Sequence, residues 1–576
     1  MNSAKKKLIY FNLFFLLIFL FFPLNAFSLE ENPNSIQSMT ATITLSGEGK
    51  ILGETDSRDE IELRMISFQE FQGIEILSLE EKLTIEGQEF EAEHEEKDGA
   101  RYAVFNLKNL KQFGNNPEFE VSVKAKIKSN AEIGLSESNA ELEKSVSEKF
   151  LEATDLIESD DPELIAKANM EFESRNKLET LIEISKWIGN NLEYDLAYYP
   201  VINSAKKTYQ LRKGVCDEFA NLTAAFARIK KIPIKYVSGI SFDGKKFGSH
   251  GWNEAFIEGY GWIAIDSTYN EVGFVDGAHF PLTKGKDANE FGSMESSIKS
   301  VNSLGMEMKI NEPLVEVHSF EEFKELAEME IELPEKIFNK EEFEVNAKIT
   351  STTGKKMIYP IKLLLHEDFY FNEENKMLLL EPNESIQAKW TAIAPLKGEE
   401  GKYFTYEVKI ISPDHKIEKE IEIYPNEETE EKAGEIKVMD ISPFKEGNSL
   451  KIRISLENTG LAENTALIWM EFKKEKQLEQ EITFQALEQK EFELILSPFE
   501  FGNIELFIES NETQIKKTIF VPKKQEPVVA IQPQENQAQP QTDSNQENEE
   551  TKTAFIESII KAVMGFLKSI GFIQTQ

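Results

Sequence analysis

Arg212-Lys213-Gly214-Val215-Cys216-Asp217-Glu218-Phe219-Ala220, then Gly248-Ser249-His250-Gly251-Trp252-Asn253-Glu254, then Gly261-Trp262-Ile263-Ala264-Ile265-Asp266: these three runs hold the only cysteine of a 576-residue chain, with a histidine and an aspartate placed to act on it. Cys216 follows a glycine and opens a helical pattern in which Phe219, Leu222, Phe226 and Ile229 form one apolar stripe. Arg228, Lys230 and Lys231 fill its last turn and Pro233 stops it. A cysteine at such a helix start feels the positive end of the dipole and free backbone N–H groups, which favour thiolate. Asp217 and Glu218 work against that, so a neighbouring histidine decides the balance.

His250 stands before one strand pattern, and Asp266 ends the next. A four-residue turn, Glu258 to Gly261, would pair Ile257 with Trp262 and set Asp266 opposite Asn253, diagonally near His250, with a bulge to align their faces. Alone, Cys216 reads as a small core residue, His250 as a surface residue in a Gly-Ser turn and Asp266 as a strand-end cap over Ser267 and Thr268. Together they read as a cysteine, histidine and aspartate site.

Working outward, the chain is too long for one hydrophobic core, and several regions of about 100 to 150 residues are expected. Hydrophobic content of 40% indicates that most of it folds. A formal net charge of -38 opposes binding to nucleic acid and to anionic lipid, and suits a solubilising coat on an exported protein. One cysteine allows no intrachain disulfide.

Residues 1–28 read as a signal peptide: Lys5-Lys6-Lys7, an apolar run, then a small-residue cleavage pattern. The same run nearly reaches the length of an uncleaved anchor. Period-two alternation over 36–130 predicts an N-terminal β-domain. Helical patterns begin the segment 136–310, with Asp161-Pro162 as a start signal and Leu178, Leu181, Ile184 and Ile188 as one stripe; 275–300 reads as a loop over the site's edge. Residues 326–425 and 433–522 read as two immunoglobulin-like β-sandwiches. The turn residues Asn458, Gly460 and Asn464 of the second are similar to those of adhesion-type modules of surface proteins. Residues 523–552 have a linker composition, and 553–573 read as an amphipathic helix for a membrane interface or a partner, or for docking on the chain itself. The histidines His94, His250, His279, His318, His366 and His415 show no paired zinc spacing. No calcium loop, phosphate loop or dinucleotide fingerprint occurs, so neither metal nor cofactor is expected.

Gly214-Val215-Cys216 with Glu218-Phe219-Ala220, His250 with Gly251-Trp252-Asn253-Glu254, and Trp262 with Asp266-Ser267-Thr268 resemble the core of the transglutaminase-like superfamily, a papain-like thiol fold. The resemblance implies an α+β catalytic domain at 136–310. In it Cys216 attacks an amide carbonyl to form a thioester, His250 moves the proton and Asp266 steadies the imidazole. It also implies an oxyanion hole built from the Cys216 backbone N–H and one more donor, for which Tyr209 is the candidate. Substrates are then proteins or peptides. Hydrolysis is the first reading, and a cross-linking transamidase and a non-catalytic peptide-binding surface adhesin or scaffold are the rivals.

Overall fold

The computed structural model describes residues 35–521 apart from 98, 175, 200, 291, 335, 372, 396–402, 426–434, 461, 500 and 511–512. The signal-peptide, linker and C-terminal helix readings lie outside the described residues. Among those residues no helix is long and apolar enough to cross a membrane.

Alternation becomes sheet at the start of the chain. Glu118–Asn130 buries every second residue, Phe119, Val121, Val123, Ala125 and Ile127 among them, because successive strand side chains face opposite ways. It pairs with Ile36–Leu52 and Ile74–Ile85, and a second sheet of Glu60–Ser67, Ala100–Lys108 and Glu93–Lys97 shares their core. Three later strands return to these sheets. Met294–Lys299 pairs with Glu60–Ser67, while Gly305–Ile310 and Leu314–Glu322 pair with Ile36–Leu52. This corrects the expected 136–310 segment, whose end belongs to the N-terminal sheets. The 275–300 loop is corrected too, since Phe280–Gly285 and Met294–Lys299 are both strands. Pairing over such separation leaves no trace in local periodicity.

Four helices and a five-stranded sheet carry the middle region, beside a short helix at Lys144–Lys149 and a two-stranded parallel pair of Glu193–Tyr194 with Lys213–Gly214. Helix α1 (Pro162–Glu171) starts where Asp161 Oδ1 accepts the Glu163 and Leu164 amides at 2.8 and 3.4 Å, and α2 (Lys177–Asn191) is capped likewise by Asn176. Helix α3 (Ala205–Leu211) leads to α4 (Cys216–Ile229), which is buried on nearly all sides. Phe226 of α4 meets Phe172 and Trp187 edge-on at 5.3 and 5.5 Å. Truncating such a ring to alanine costs about 3–5 kcal/mol, which makes α4 the anchor of this core. Against it lies an antiparallel sheet of β1 (Ile234–Phe242), β2 (Phe247–Ile257), β3 (Gly261–Asp266), β4 (Glu271–Val272) and β5 (Phe280–Gly285), in the order β4-β3-β2-β1-β5.

Two β-rich regions follow. Glu342–Ser351 and Phe404–Ser412 belong to facing sheets around one core, and Ser449–Asn458 and Asn464–Phe472 to facing sheets around another. The last region docks on the helices through buried charge. Asp440 meets Lys167 Nζ at 2.6 Å and Arg212 Nη2 at 2.8 Å, and Ala166 joins the apolar core of that region.

Candidate active site

The turn before Cys216 is fixed by a buried acid. Glu218 Oε2 accepts the Val215 N–H at 2.8 Å and Oε1 accepts the Asn203 N–H at 2.6 Å, which ties the helix start to the loop before α3. Gly214 makes room: a Cβ there would stand 2.4 Å from the Glu218 Cβ. The thiol at the first position of α4 is thereby aimed at the sheet.

There it meets the strand that carries His250. Gly251 approaches so closely that a Cβ would fall 2.1 Å from Tyr236 Oη and 2.6 Å from Asp217 Oδ1, so no larger residue fits. Burial and then the Asp217 carboxylate push the Cys216 thiol well up, while hydrogen bonding from the Gly251 N–H draws it down. Sγ also lies 3.9 Å from Asp217 Oδ1, which accepts in turn from Tyr236 Oη. Cys216 and His250 thus meet through the Gly251 amide, without a direct hydrogen bond among the described residues. Burial and the Asp217 charge thus favour the protonated thiol.

Strand register delivers the aspartate. The β2–β3 hairpin pairs Ile257 with Gly261, Phe256 with Trp262 and Asn253 with Ile265. This corrects the expected register by one residue. Gly259 and Gly261, at φ of 89° and 83°, take left-handed conformations and close the turn in three residues instead of four. A one-residue slip exchanges the faces, so Asp266 falls on the face of Trp252 and His250 with no bulge required. His250 Nε2 lies 2.6 Å from Asp266 Oδ2, and the His250 ring is stacked between Tyr269 and Trp252 at 5.0 and 5.8 Å.

Asp266 accepts four hydrogen bonds. Besides His250, its Oδ2 meets His279 Nε2 at 3.2 Å, and its Oδ1 takes the Thr268 and Tyr269 amides at 2.8 and 3.4 Å. Burial pushes the carboxyl up, yet charge and hydrogen bonds from His250 and His279 hold it well below the usual carboxylate range. An ionised carboxylate only accepts, so Nε2 of His250 carries a proton, and in the neutral form of that ring the lone pair is on Nδ1.

His279 escaped the sequence reading. It is buried, 29 residues from His250, in the loop before β5, and only the fold brings the two histidines onto one carboxylate. His250, Asp266 and His279 place one ligand atom each within 4.8 Å of one another. Those atoms already satisfy one another at hydrogen-bond distances, so the trio fits a proton-bearing array better than a cation holder.

Tyr209 does not reach the thiol. Its ring is buried among Trp187 and Phe226, and its hydroxyl donates to the Pro443 carbonyl at 3.5 Å, towards the last β-region. This corrects the oxyanion candidate: a helix-borne aromatic five residues upstream of Gly214 follows the apolar stripe inward. Tyr194 borders the start of α4 instead. It pairs in parallel with Gly214, its ring lies 6.1 Å from that of Phe219, it is half exposed, and its partial burial pushes the hydroxyl up.

Comparison with known proteins bears on this segment. Residues 166–267 match the family model described as the transglutaminase-like superfamily. A UPF0252 protein of Pyrococcus furiosus is 31% identical over 101 residues, 17% of this chain and 30% of that protein, so the chain spans less than a third of that relative's length. A solved structure of a candidate cysteine protease from Cytophaga hutchinsonii, 22% identical, aligns over 47% of this chain and 92% of its own with a TM-score of 0.35. The matched span contains Cys216, His250 and Asp266 and ends before His279.

Proposed function

With residues 166–267 as a domain of the transglutaminase-like superfamily, we propose that the chain is a cysteine enzyme that hydrolyses peptide or side-chain amides through a thioester. The observation that carries this reading is the meeting of the Cys216 thiol with the Gly251 amide, next to a His250 whose Nε2 is tied to Asp266.

His250 Nδ1 takes the thiol proton as Sγ bonds to the amide carbon. The tetrahedral oxyanion is met by the Cys216 N–H and the Tyr194 hydroxyl. The C–N bond breaks as His250 returns its proton to the leaving amine, and the thioester remains. Water, deprotonated by His250, then attacks the thioester, releases the carboxylic acid and restores the thiol. The raised thiol fits a neutral resting pair in which His250 acts as general base when substrate arrives. An amine in place of water would give a cross-link. The short connections on both sides of β2, residues 243–246 and 258–260, offer little wall for a dedicated amine channel and favour hydrolysis.

Around this domain we place an exported protein, with the β-rich regions as spacers or substrate-docking surfaces and 553–573 as a tether to a membrane interface or a partner. The substrate is a protein or peptide, and the charge of -38 keeps nucleic acid away.

Casein offered with a fluorescent primary amine tests the chemistry. The wild type should release peptides faster than it incorporates the amine, and Cys216→Ala should do neither while keeping its circular dichroism. Unchanged turnover in Cys216→Ala removes the thiol as nucleophile; faster incorporation than release replaces hydrolysis by transamidation.

A further inference from the structure

Behind Asp266 the proton-bearing array continues. His279 Nδ1 lies 2.7 Å from Asp276 Oδ1 and its Nε2 lies 3.2 Å from Asp266 Oδ2, so both ring nitrogens face carboxylate oxygens. A neutral imidazole has one donor and one acceptor, and an ionised carboxylate offers only acceptors. Both contacts are satisfied together when His279 is an imidazolium. The loop that carries it is held from several sides. Asp276 Oδ1 accepts the Ala278 N–H at 2.9 Å, the Gly277 N–H donates to the Ile36 carbonyl at 2.6 Å, and Ser129 Oγ donates to the Gly277 carbonyl.

The groups facing His279 are Asp266, Asp276 and Glu271, with the rings of His250 and Tyr269 at 5.6 and 5.7 Å. Glu271 Oε2 is 3.9 Å away and Oε1 has no hydrogen-bond partner. Burial pushes Glu271 well up and Asp276 up, and it works against a charged His279. The Asp266 and Asp276 hydrogen bonds nonetheless hold His279 well above its ordinary range.

We infer that His279 is a positioning residue: donating to Asp276 on one side and Asp266 on the other, it keeps Asp266 an acceptor for His250 Nε2 and so fixes the His250 tautomer able to take the Cys216 proton. This rests on the reading of Cys216 and His250 as nucleophile and base. Were Asp266 protonated, it would donate to Nε2, move the ring proton to Nδ1, and leave no lone pair for the thiol. The array is then Cys216, His250, Asp266, His279 and Asp276, with a fixed cation in its fourth place.

The test is nitrogen NMR of the full chain labelled with 15N-histidine, six residues in all, between pH 5 and 9. The expected wild-type result is a His279 ring that keeps both nitrogens protonated well above the ordinary imidazole range and a His250 ring that carries a proton on Nε2. A neutral His279 at pH 7 would overturn the inference, and this measurement needs no variant to fold. In His279→Gln, the pH below which His250 loses its Nε2–H pattern should rise by about one unit or more, the usual effect of removing a neighbouring charge. The acid limb of Cys216 alkylation by iodoacetamide should move with it, making labelling roughly tenfold slower there. A merely structural His279 would lower labelling equally at all pH values and leave the His250 pattern in place, which also overturns the inference. Asp276→Asn keeps the ring and an acceptor oxygen and removes the negative charge, so it should lower the His279 midpoint; an unmoved midpoint counts against the array. None of the NMR outcomes depends on thiol chemistry, so they stay separate from failure of Cys216→Ala to abolish turnover.

Discussion

Asp266, buried at the candidate site, and Asp440, largely covered where the last β-region docks, are carboxylates each gripped by two basic side chains. Asp266 is held by His250 and His279, Asp440 by Lys167 and Arg212. In both, burial pushes the carboxyl up and the two partners bring it below its ordinary range. The balance of forces is the same and the partners are not. Lysine and arginine act at Asp440 as fixed charges, and Arg212 is also pressed on the rings of Trp187 and Tyr209 at 4.6 Å, so that cluster is a clamp. Imidazoles can give and take protons near neutral pH, so the cluster at Asp266 can do chemistry. Which base surrounds a buried acid, more than the acid itself, separates the site from the joint.

The comparison breaks first on activity. Asp266→Asn should lower casein turnover about 10³ to 10⁴-fold with its fold intact, because an amide no longer dictates the His250 tautomer; a loss under tenfold would leave Asp266 no more special than Asp440. Stability should respond in the opposite sense. Asp440→Ala leaves the buried Lys167 with Glu171 alone and the partly buried Arg212 without its acid, and should cost about 3–5 kcal/mol in urea unfolding, with turnover per folded molecule kept. A loss of turnover in the folded fraction would show the joint to be part of the site.

Above neutral pH the two clusters should diverge by a smaller amount. His279 is raised, so its contribution is complete below about pH 6.5 and is lost as pH climbs through its folded value; Glu271, also raised, acts in the same direction. Wild-type stability should therefore decline by on the order of 1 kcal/mol or more between about pH 7 and 10. His279→Gln should lessen that slope and Asp440→Asn should not, since no imidazole stands at Asp440. Equal slopes in all three proteins would erase the distinction. The smallest effect belongs to Tyr209→Phe. It removes one 3.5 Å hydrogen bond at the joint and should cost under about 1 kcal/mol with turnover unchanged, whereas an activity loss would restore Tyr209 to the oxyanion hole.

How much of this was legible in the sequence follows from range. The helix that begins at Cys216, the capped starts at Asp161 and Asn176, and the hairpin that joins His250 to Asp266 are local, and turn residues and periodicity announce them. The hairpin register differs by one residue because Gly261 reads as turn and is in fact the first residue of the strand. His279 gave no sign because a single histidine after Asp276-Gly277-Ala278 reads as a loop. The return of 294–322 to the first sheets, and the Asp440 joint, need contacts between residues more than two hundred positions apart. No local pattern encodes them.

The Gly277 amide resting on Ile36 has a practical consequence. The span that matches the superfamily stops at 267, while the counter-charge behind Asp266 sits beyond it, on a loop leaning against Ile36–Leu52 and Glu118–Asn130. The segment that carries Cys216, His250 and Asp266 is therefore not portable. Excised at its family borders it would keep the thiol, the base and the acid and lose the buttress that sets their protonation, so any transplant or minimal version must carry the N-terminal sheet along.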